Sequence, residues 1–455
     1  MTHPEYHHQS SIRPDGSRPK IRIADVIGRF TTRKKIVFPV LLVIFFALPW
    51  IRIAGERLVL IWIERREFTL FTYTFNAQDV YLIFFLVTGI GFSLFFITAL
   101  VGRIWCGWTC PQTVFLEGVF RKIERWIEGS KSEQLKLEKG PWDTSRFGKF
   151  LLKHGLFVSI SLLISITFIM YFVPGHYFFE SFSTDAPSHP VLIFWIFFLA
   201  GLFYFDFAWF REQVCLILCP YGRLQSALTD DDSIVIGYDR LRGEPRGKNH
   251  QEKIGDCIDC GRCIAVCPTG IDIRAGLQLE CVGCANCIDA CDEIMAKLQR
   301  PVGLIRYDSL NGLEKKPKKI LRPRIYLYAV LLVIGAFVAT YTLSQRTSFE
   351  ANLIRLMGSP YILESGNIRN QFEIHMMNKS IKPRKFLIQI QSSQPTTIIL
   401  PISEVEMESR ADKHIPWMAL VPQNQFQGSF DLSVTIQDVI THELLQRKVQ
   451  FLGPK

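Results

Sequence analysis

No cysteine precedes Cys106 and none follows Cys291; all 12 lie between them. A disulfide framework spreads bridges through the parts of a chain outside the cell. This crowding argues against one and points to metal ligands or redox thiols on a reducing side. Histidine is missing from the interior of every long apolar run. His154 and His176 fall at run ends and His189 in a loop. The facing histidines that a membrane b-type haem needs as axial ligands are therefore lacking, and these three read as interfacial polar residues. No Gly-rich nucleotide loop occurs, so neither a flavin nor a nicotinamide site is supported. The first 35 residues contain no apolar core region. A cleavable signal peptide is not expected, and the first hydrophobic run is read as retained. The pair His7-His8 belongs to that polar tail.

What is present is apolar and arranged in blocks. Of 455 residues, 48% are hydrophobic and 36 are Phe, too many for an ordinary soluble enzyme. A helix needs about 20 mainly apolar residues to cross a bilayer. Five runs qualify, at 36–53, 80–102, 155–173, 191–210 and 325–343. The run 58–75 is broken by Glu64-Arg65-Arg66-Glu67. Four charges at mid-membrane are costly, so this run reads as interfacial or extramembrane. Lys and Arg set orientation. Residues 1–35 carry eight, 103–153 ten, 211–324 eighteen, the first outer loop four and 174–190 none. The pattern fits five spans with the N-terminus inside. Residues 1–35 are then a cytoplasmic tail, and 36–210 a four-helix membrane region. Residues 211–324 form a cytoplasmic segment, 325–343 the last span, and 344–455 an outer domain. The net charge of +10 is on this reading a topology signal, and nucleic-acid binding is not needed to explain it.

The cytoplasmic segment carries the strongest motif. Cys257-Ile-Asp-Cys260-Gly-Arg-Cys263-Ile-Ala-Val-Cys267-Pro268 has the C-x2-C-x2-C-x3-C-P spacing of bacterial ferredoxins, and it returns as Cys281-Val-Gly-Cys284-Ala-Asn-Cys287-Ile-Asp-Ala-Cys291. Each close triplet wraps one corner of a 4Fe-4S cubane, and the fourth cysteine of each run reaches the other cluster. The expected ligand sets are Cys257, Cys260, Cys263 and Cys291 for one cluster, and Cys281, Cys284, Cys287 and Cys267 for the other. Structural zinc sites use two cysteine pairs across a longer loop, which this pattern does not match. Asp292 stands where a proline follows the first run.

Two further pairs sit at run ends. Cys106-Gly-Trp-Thr-Cys110-Pro111 follows the second run and Cys215-Leu-Ile-Leu-Cys219-Pro220 the fourth. Both belong to the cytoplasmic face in the topology above. On a helix, i,i+4 spacing puts both thiols on one side. A residue before proline leaves helical angles, so Cys110 and Cys219 are alternatively at a kink or a helix start. Four such thiols suit Cu(I), zinc, an iron–sulfur centre or a redox dithiol; packing of small apolar cysteines between helices is the plain alternative.

After residue 345 short alternating runs such as Phe386-Leu-Ile-Gln-Ile-Gln and Phe430-Asp-Leu-Ser-Val-Thr-Ile predict a β-sandwich, immunoglobulin-like in size. His375-Met376-Met377 has copper-ligand chemistry, but adjacent strand residues point to opposite faces, so it reads as structural. Lys315-Lys-Pro-Lys-Lys319 reads as a topology anchor beside anionic headgroups.

The parts together resemble the FixG/RdxA/CcoG family of cytochrome c oxidase accessory proteins. The resemblance rests on Trp105-Cys-Gly-Trp-Thr-Cys-Pro-Gln112 and Cys215-Leu-Ile-Leu-Cys-Pro-Tyr-Gly-Arg-Leu-Gln225. It continues through Arg242-Gly-Glu-Pro-Arg246, Cys267-Pro-Thr-Gly-Ile-Asp-Ile273 and Gly303-Leu-Ile-Arg-Tyr307. It implies a bacterial inner-membrane cupric reductase serving assembly of cbb(3)-type cytochrome c oxidase, with a periplasmic immunoglobulin-like tail. Expected partners are the bilayer, oxidase subunits or copper-handling proteins, and a cytoplasmic electron donor. Copper, as substrate or bound ion, is expected at Cys106, Cys110, Cys215 and Cys219, which would be the catalytic residues. The alternatives are an electron conduit from a cytoplasmic or quinol donor to a periplasmic enzyme, and a non-enzymatic assembly scaffold.

Overall fold

A computed structural model describes residues 21–53, 56–64, 66–71, 73–75, 79–182, 190–247, 255–319, 321–344, 347–364, 366–380, 382–409 and 411–454. His7, His8 and His189 lie outside the described residues. The chain divides into two compact units, Met1–Ala339 and Thr340–Lys455.

Among the described residues, four helices of the first and adjoining segments are long and apolar enough to cross a membrane: Tyr81–Val101, Thr144–Met170, Pro190–Phe210 and Pro323–Ser344. The first expected run falls short of that measure. It folds as the helix Arg29–Ala47, whose opening turns hold Arg33, Lys34 and Lys35 and leave too short an apolar stretch. At its start, the amides of Phe30 and Thr31 donate to Asp289 of the cysteine-rich segment, at 3.1 and 2.7 Å. Near its end, Phe45 O accepts from Tyr171 at the close of Thr144–Met170, at 2.8 Å. The third helix begins eleven residues before its apolar run, because Asp143 caps it by accepting from the Arg146 amide. His154 therefore lies within the helix, with Nδ1 2.8 Å from the Tyr204 hydroxyl.

The interrupted run 58–75 forms three short antiparallel strands, Val59–Trp62, Glu67–Leu70 and Tyr73–Phe75. Open sheet edges do not face lipid, which suits the reading of this run as interfacial or extramembrane. Arg57 ties it to the helix end by donating to the carbonyls of Met170 and Val173, at 2.9 and 3.0 Å.

Beyond Phe210 the chain builds the cysteine-rich segment around the strand pair Val235–Tyr238 and Ile305–Asp308. The internal repeat seen in the spacing is also a backbone repeat. Asp259 and Gly261 have φ of 51° and 64°, and their counterparts Gly283 and Ala285 have 69° and 64°. Each C-x2-C-x2-C run thus carries two left-handed residues, one in each C-x2-C turn, which fold it back around its own centre. A helix follows each turn, Arg262–Ala265 and Asn286–Lys297.

The second unit is a two-sheet β fold. One sheet orders Thr397–Ile399, Asp412–Pro422, Asn367–Asn378 and Phe349–Arg355, with Ile362–Glu364 added to Asn367–Asn378. The other orders Glu404–Met407, Arg384–Ser392, Phe430–Asp438 and Leu444–Phe451. Every second residue of Asn367–Asn378 is buried, the period a half-buried strand imposes. Phe349 of one sheet meets Phe386 of the other at 4.9 Å, and Trp417 stacks on Phe372 at 4.6 Å. Met376 is wholly buried in this core, as the strand reading of His375-Met376-Met377 requires.

Candidate metal centre

The first membrane motif is not one continuous helix. Cys106 sits in the helix Ile104–Trp108, while Cys110 is extended and precedes the helix Pro111–Phe115. Cys215 lies in the π-turn Val214–Leu218, and Cys219 is again extended before Pro220–Leu228. The expectation of two thiols on one helical face is thereby corrected. Proline ends the helical path at the preceding residue, and both prolines restart a helix at its first position.

The four thiols sense one another electrostatically. Cys215 is pushed up to about 12 by burial and then by Cys110, Cys106 and Cys219. Cys110 is raised by burial and by Cys219, against two amides that favour its thiolate. Gln112 bonds the motifs together, donating to Asp206 Oδ1 at 2.9 Å and Arg211 O at 3.1 Å. Around them lies a buried ionic frame. Arg211 grips Glu124 through two nitrogens at 3.2 and 2.8 Å, and Arg121 reaches Glu212 at 3.1 Å. Lys153 and Arg22 reach Glu128 at 2.5 and 3.3 Å. Sequence reading missed this frame, since its members are spread from residue 22 to 212.

In the cysteine-rich segment Cys257, Cys260, Cys263 and Cys291 line one cavity, walled by Tyr238, Met295, Leu304 and Ile305. Burial pushes Cys263 up to about 11, with Arg274 acting against the rise. Burial and the facing thiols Cys263, Cys257 and Cys260 help push Cys291 up to about 12. The second group meets in the same way. Burial, then Cys267 and Cys284, push Cys281 up to about 12. Cys287 is raised by burial and then by Cys284, Cys281 and Cys267. None of the 12 cysteines is in a disulfide. Cys263, Cys281, Cys287 and Cys291 resist ionisation as free thiols, which fits cationic clusters that ionise and bind them.

The two regions touch. A Cβ placed on Gly107, between the first membrane cysteines, would lie 2.7 Å from Cys284 Cα and 2.8 Å from its nitrogen. A Cβ on Gly283 would lie 2.8 Å from Arg103 O. Cys215 and Cys284 also line a common cavity. Tyr307 braces the junction, donating to Gly283 O at 2.7 Å and accepting from the Trp108 indole at 3.2 Å. Phe30 packs edge-on against both rings. The far side differs: Cys260 is exposed. Gly107 and Gly283 stand inside the motifs themselves, but spacing alone gave no sign that they meet.

Comparison with known proteins follows the same division. A model described as a 4Fe-4S dicluster domain matches residues 210–310, and a 4Fe-4S binding domain matches 82–129. An IG-like fold at the C-terminal of FixG matches 339–454. The chain is 34% identical to "Nitrogen fixation protein FixG" of Rhizobium meliloti over 416 residues, 82% of this chain and 79% of that one. It is 36% identical to "Protein RdxA" of Cereibacter sphaeroides over 383 residues, 81% of each. A crystal structure of a FixG-related protein from Vibrio parahaemolyticus aligns with 24% of this chain and all of its own, at 9% identity and a TM-score of 0.22. The dicluster cysteines, the apolar helices, the β unit and these relatives together make the chain a member of the FixG/RdxA family of membrane iron–sulfur electron-transfer proteins.

Proposed function

We propose that the chain reduces Cu(II) to Cu(I) at Cys106, Cys110, Cys215 and Cys219, for the copper centre of a cbb(3)-type oxidase. The observation that carries this reading is the contact of Gly107 with the Cys284 backbone, which sets the thiol quartet against the cluster-binding loop. Cys257, Cys260, Cys263 and Cys291 would hold one cluster, and Cys281, Cys284, Cys287 and Cys267 the other. When bound, the clusters supply the single electron that converts Cu(II) to Cu(I). The chain's own residues do the rest. Thiolates favour Cu(I) over Cu(II), so the quartet holds the product state best. The ionic frame of Arg211, Glu124, Arg121 and Glu212 fixes the motif that carries Cys215. Exposed Cys260 marks the face open to a cytoplasmic donor.

The Arg29–Ala47 helix is taken as a fifth span, since it joins the cysteine-rich segment to the outer end of Thr144–Met170. Five spans and the Lys and Arg distribution support a topology with the clusters in the cytoplasm and the β unit in the periplasm of a bacterial inner membrane.

A second reading is favoured by one observation: the 4Fe-4S match over residues 82–129 includes Cys106 and Cys110. The quartet would then hold a third cluster and the chain would be a conduit. Metal content separates the two. Copper bound at about one per chain, lost in Cys106→Ser and Cys215→Ser while iron stays at about eight, about four per cluster, supports reduction. Iron near twelve, about four per cluster, with no copper bound, refutes it.

A further inference from the structure

The outward face of one sheet in the C-terminal unit gathers ligands that the sequence keeps 37 residues and more apart. His375 and His414 are direct partners across two antiparallel strands. Their rings stack at 4.2 Å with 12° between planes. Asp412 stands two residues before His414, hence on the same face. Its Oδ2 lies 3.7 Å from His375 Nε2 and 4.0 Å from His414 Nε2. One ligand atom from each of the three residues falls within 4.8 Å of the others. The remaining nitrogen of His414, Nδ1, is 2.5 Å from Glu373 Oε1.

That last contact sets the chemistry. Glu373 accepts from Nδ1–H, which leaves the Nε2 lone pair of His414 directed towards Asp412. Metal-bound histidines regularly donate their second N–H to a carboxylate in this way, which fixes the tautomer and raises basicity. Two stacked rings facing one carboxylate give the arrangement of a ligand set. Bond lengths to a first-row metal are about 2.0–2.2 Å, so the three atoms need only draw slightly closer. His414 and Asp412 are exposed.

We propose that His375 Nε2, His414 Nε2 and the Asp412 carboxylate bind a divalent transition metal, with Glu373 orienting His414. Two imidazoles and an oxygen donor select borderline ions, and among these Cu(II) binds tightest at a given nitrogen and oxygen site. The site lies wholly within the β unit and does not depend on copper reduction at the membrane thiols.

The test uses full-length protein with its clusters oxidised. Competing sites are removed by Cys106→Ser, Cys110→Ser, Cys215→Ser and Cys219→Ser, and by His3→Ala, His7→Ala and His8→Ala. One equivalent of Cu(II) is added and followed by electron paramagnetic resonance, with affinity taken from competition with a chelator. The expected signal has two coupled nitrogens. His375→Gln or His414→Gln should leave one nitrogen and weaken binding at least tenfold. Glu373→Gln should weaken it about tenfold with the nitrogen count unchanged. Circular dichroism confirms that these surface variants remain folded. A signal and affinity that survive His375→Gln with His414→Gln, or the absence of nitrogen-coupled Cu(II), would overturn the proposal.

Discussion

Gly107→Ala replaces a hydrogen by a methyl group at the junction of the thiol quartet with the cluster-binding loop. The new Cβ would sit 2.7 Å from Cys284 Cα and 2.8 Å from both Cys284 N and Gly283 C. All three are backbone atoms, so no side chain can swing away. Ordinary contact begins at 3.4 Å, which requires a retreat of about 0.7 Å from the present 2.7 Å. Overpacking of this kind costs about 1–3 kcal/mol. The backbone of Gly107 is helical, so alanine recovers about 0.5–1 kcal/mol of propensity. A net loss of about 0.5–2 kcal/mol falls on the loop of Cys281 and Cys284, a factor of about 2 to 30 in its intact population. The assay compares iron content, visible absorbance and copper reduction rate with Gly155→Ala. That glycine has nothing within 4 Å of an added Cβ, so its alanine variant should match or slightly exceed wild type in stability. If the two variants are indistinguishable in cluster content and rate, the junction does not couple the sites.

Three other outcomes follow from the same geometry. Tyr307→Phe removes the hydroxyl between Gly283 O and the Trp108 indole; at about 0.5–1.5 kcal/mol per bond, the cluster absorbance should bleach faster in air. Arg211→Met leaves Glu124 without its two-point partner in a buried setting, so detergent-solubilised protein should lose about 3–5 kcal/mol, and Arg211→Met with Glu124→Met should recover much of it. In the β unit, burial acts to raise the Asp438 carboxyl, but the amides of Ile440 and Thr441 and the Arg384 guanidinium outweigh it and hold its pKa below the ordinary value. Such a group adds stability above its unfolded pKa of about 3.9 and loses it as pH falls through the folded value. Asp438→Asn should therefore lower the unfolding midpoint at pH 7, and the difference from wild type should shrink below about pH 4.

The parts of this molecule set by short-range spacing were legible in its sequence. Two C-x2-C-x2-C-x3-C runs announce their left-handed turns and their cluster chemistry, because the ligand order is local. The alternation of Asn367–Asn378 announced a strand and sent Met376 into the core. Long-range encounters were not legible. Nothing in the spacing told that Gly107 lies on Cys284, or that Asp289 accepts from the first amides of the Arg29–Ala47 helix. The proline rule foresaw helix starts at Pro111 and Pro220, whereas the helical i,i+4 rule for the same cysteines did not survive them. Taken alone, His375 read as a structural strand residue. Its register with His414, on a distant strand, is what makes it a candidate ligand.

The account's central claim is tested most directly by an anaerobic experiment on the purified protein. The clusters are reduced, excess reductant is removed, and Cu(II) is added with a Cu(I)-specific chelator present. The account predicts that cluster absorbance recovers in step with Cu(I) capture, and that Cys106→Ser or Cys215→Ser slows both. Clusters that stay reduced while Cu(II) persists, or Cu(I) formed at the same rate in both variants, would contradict it.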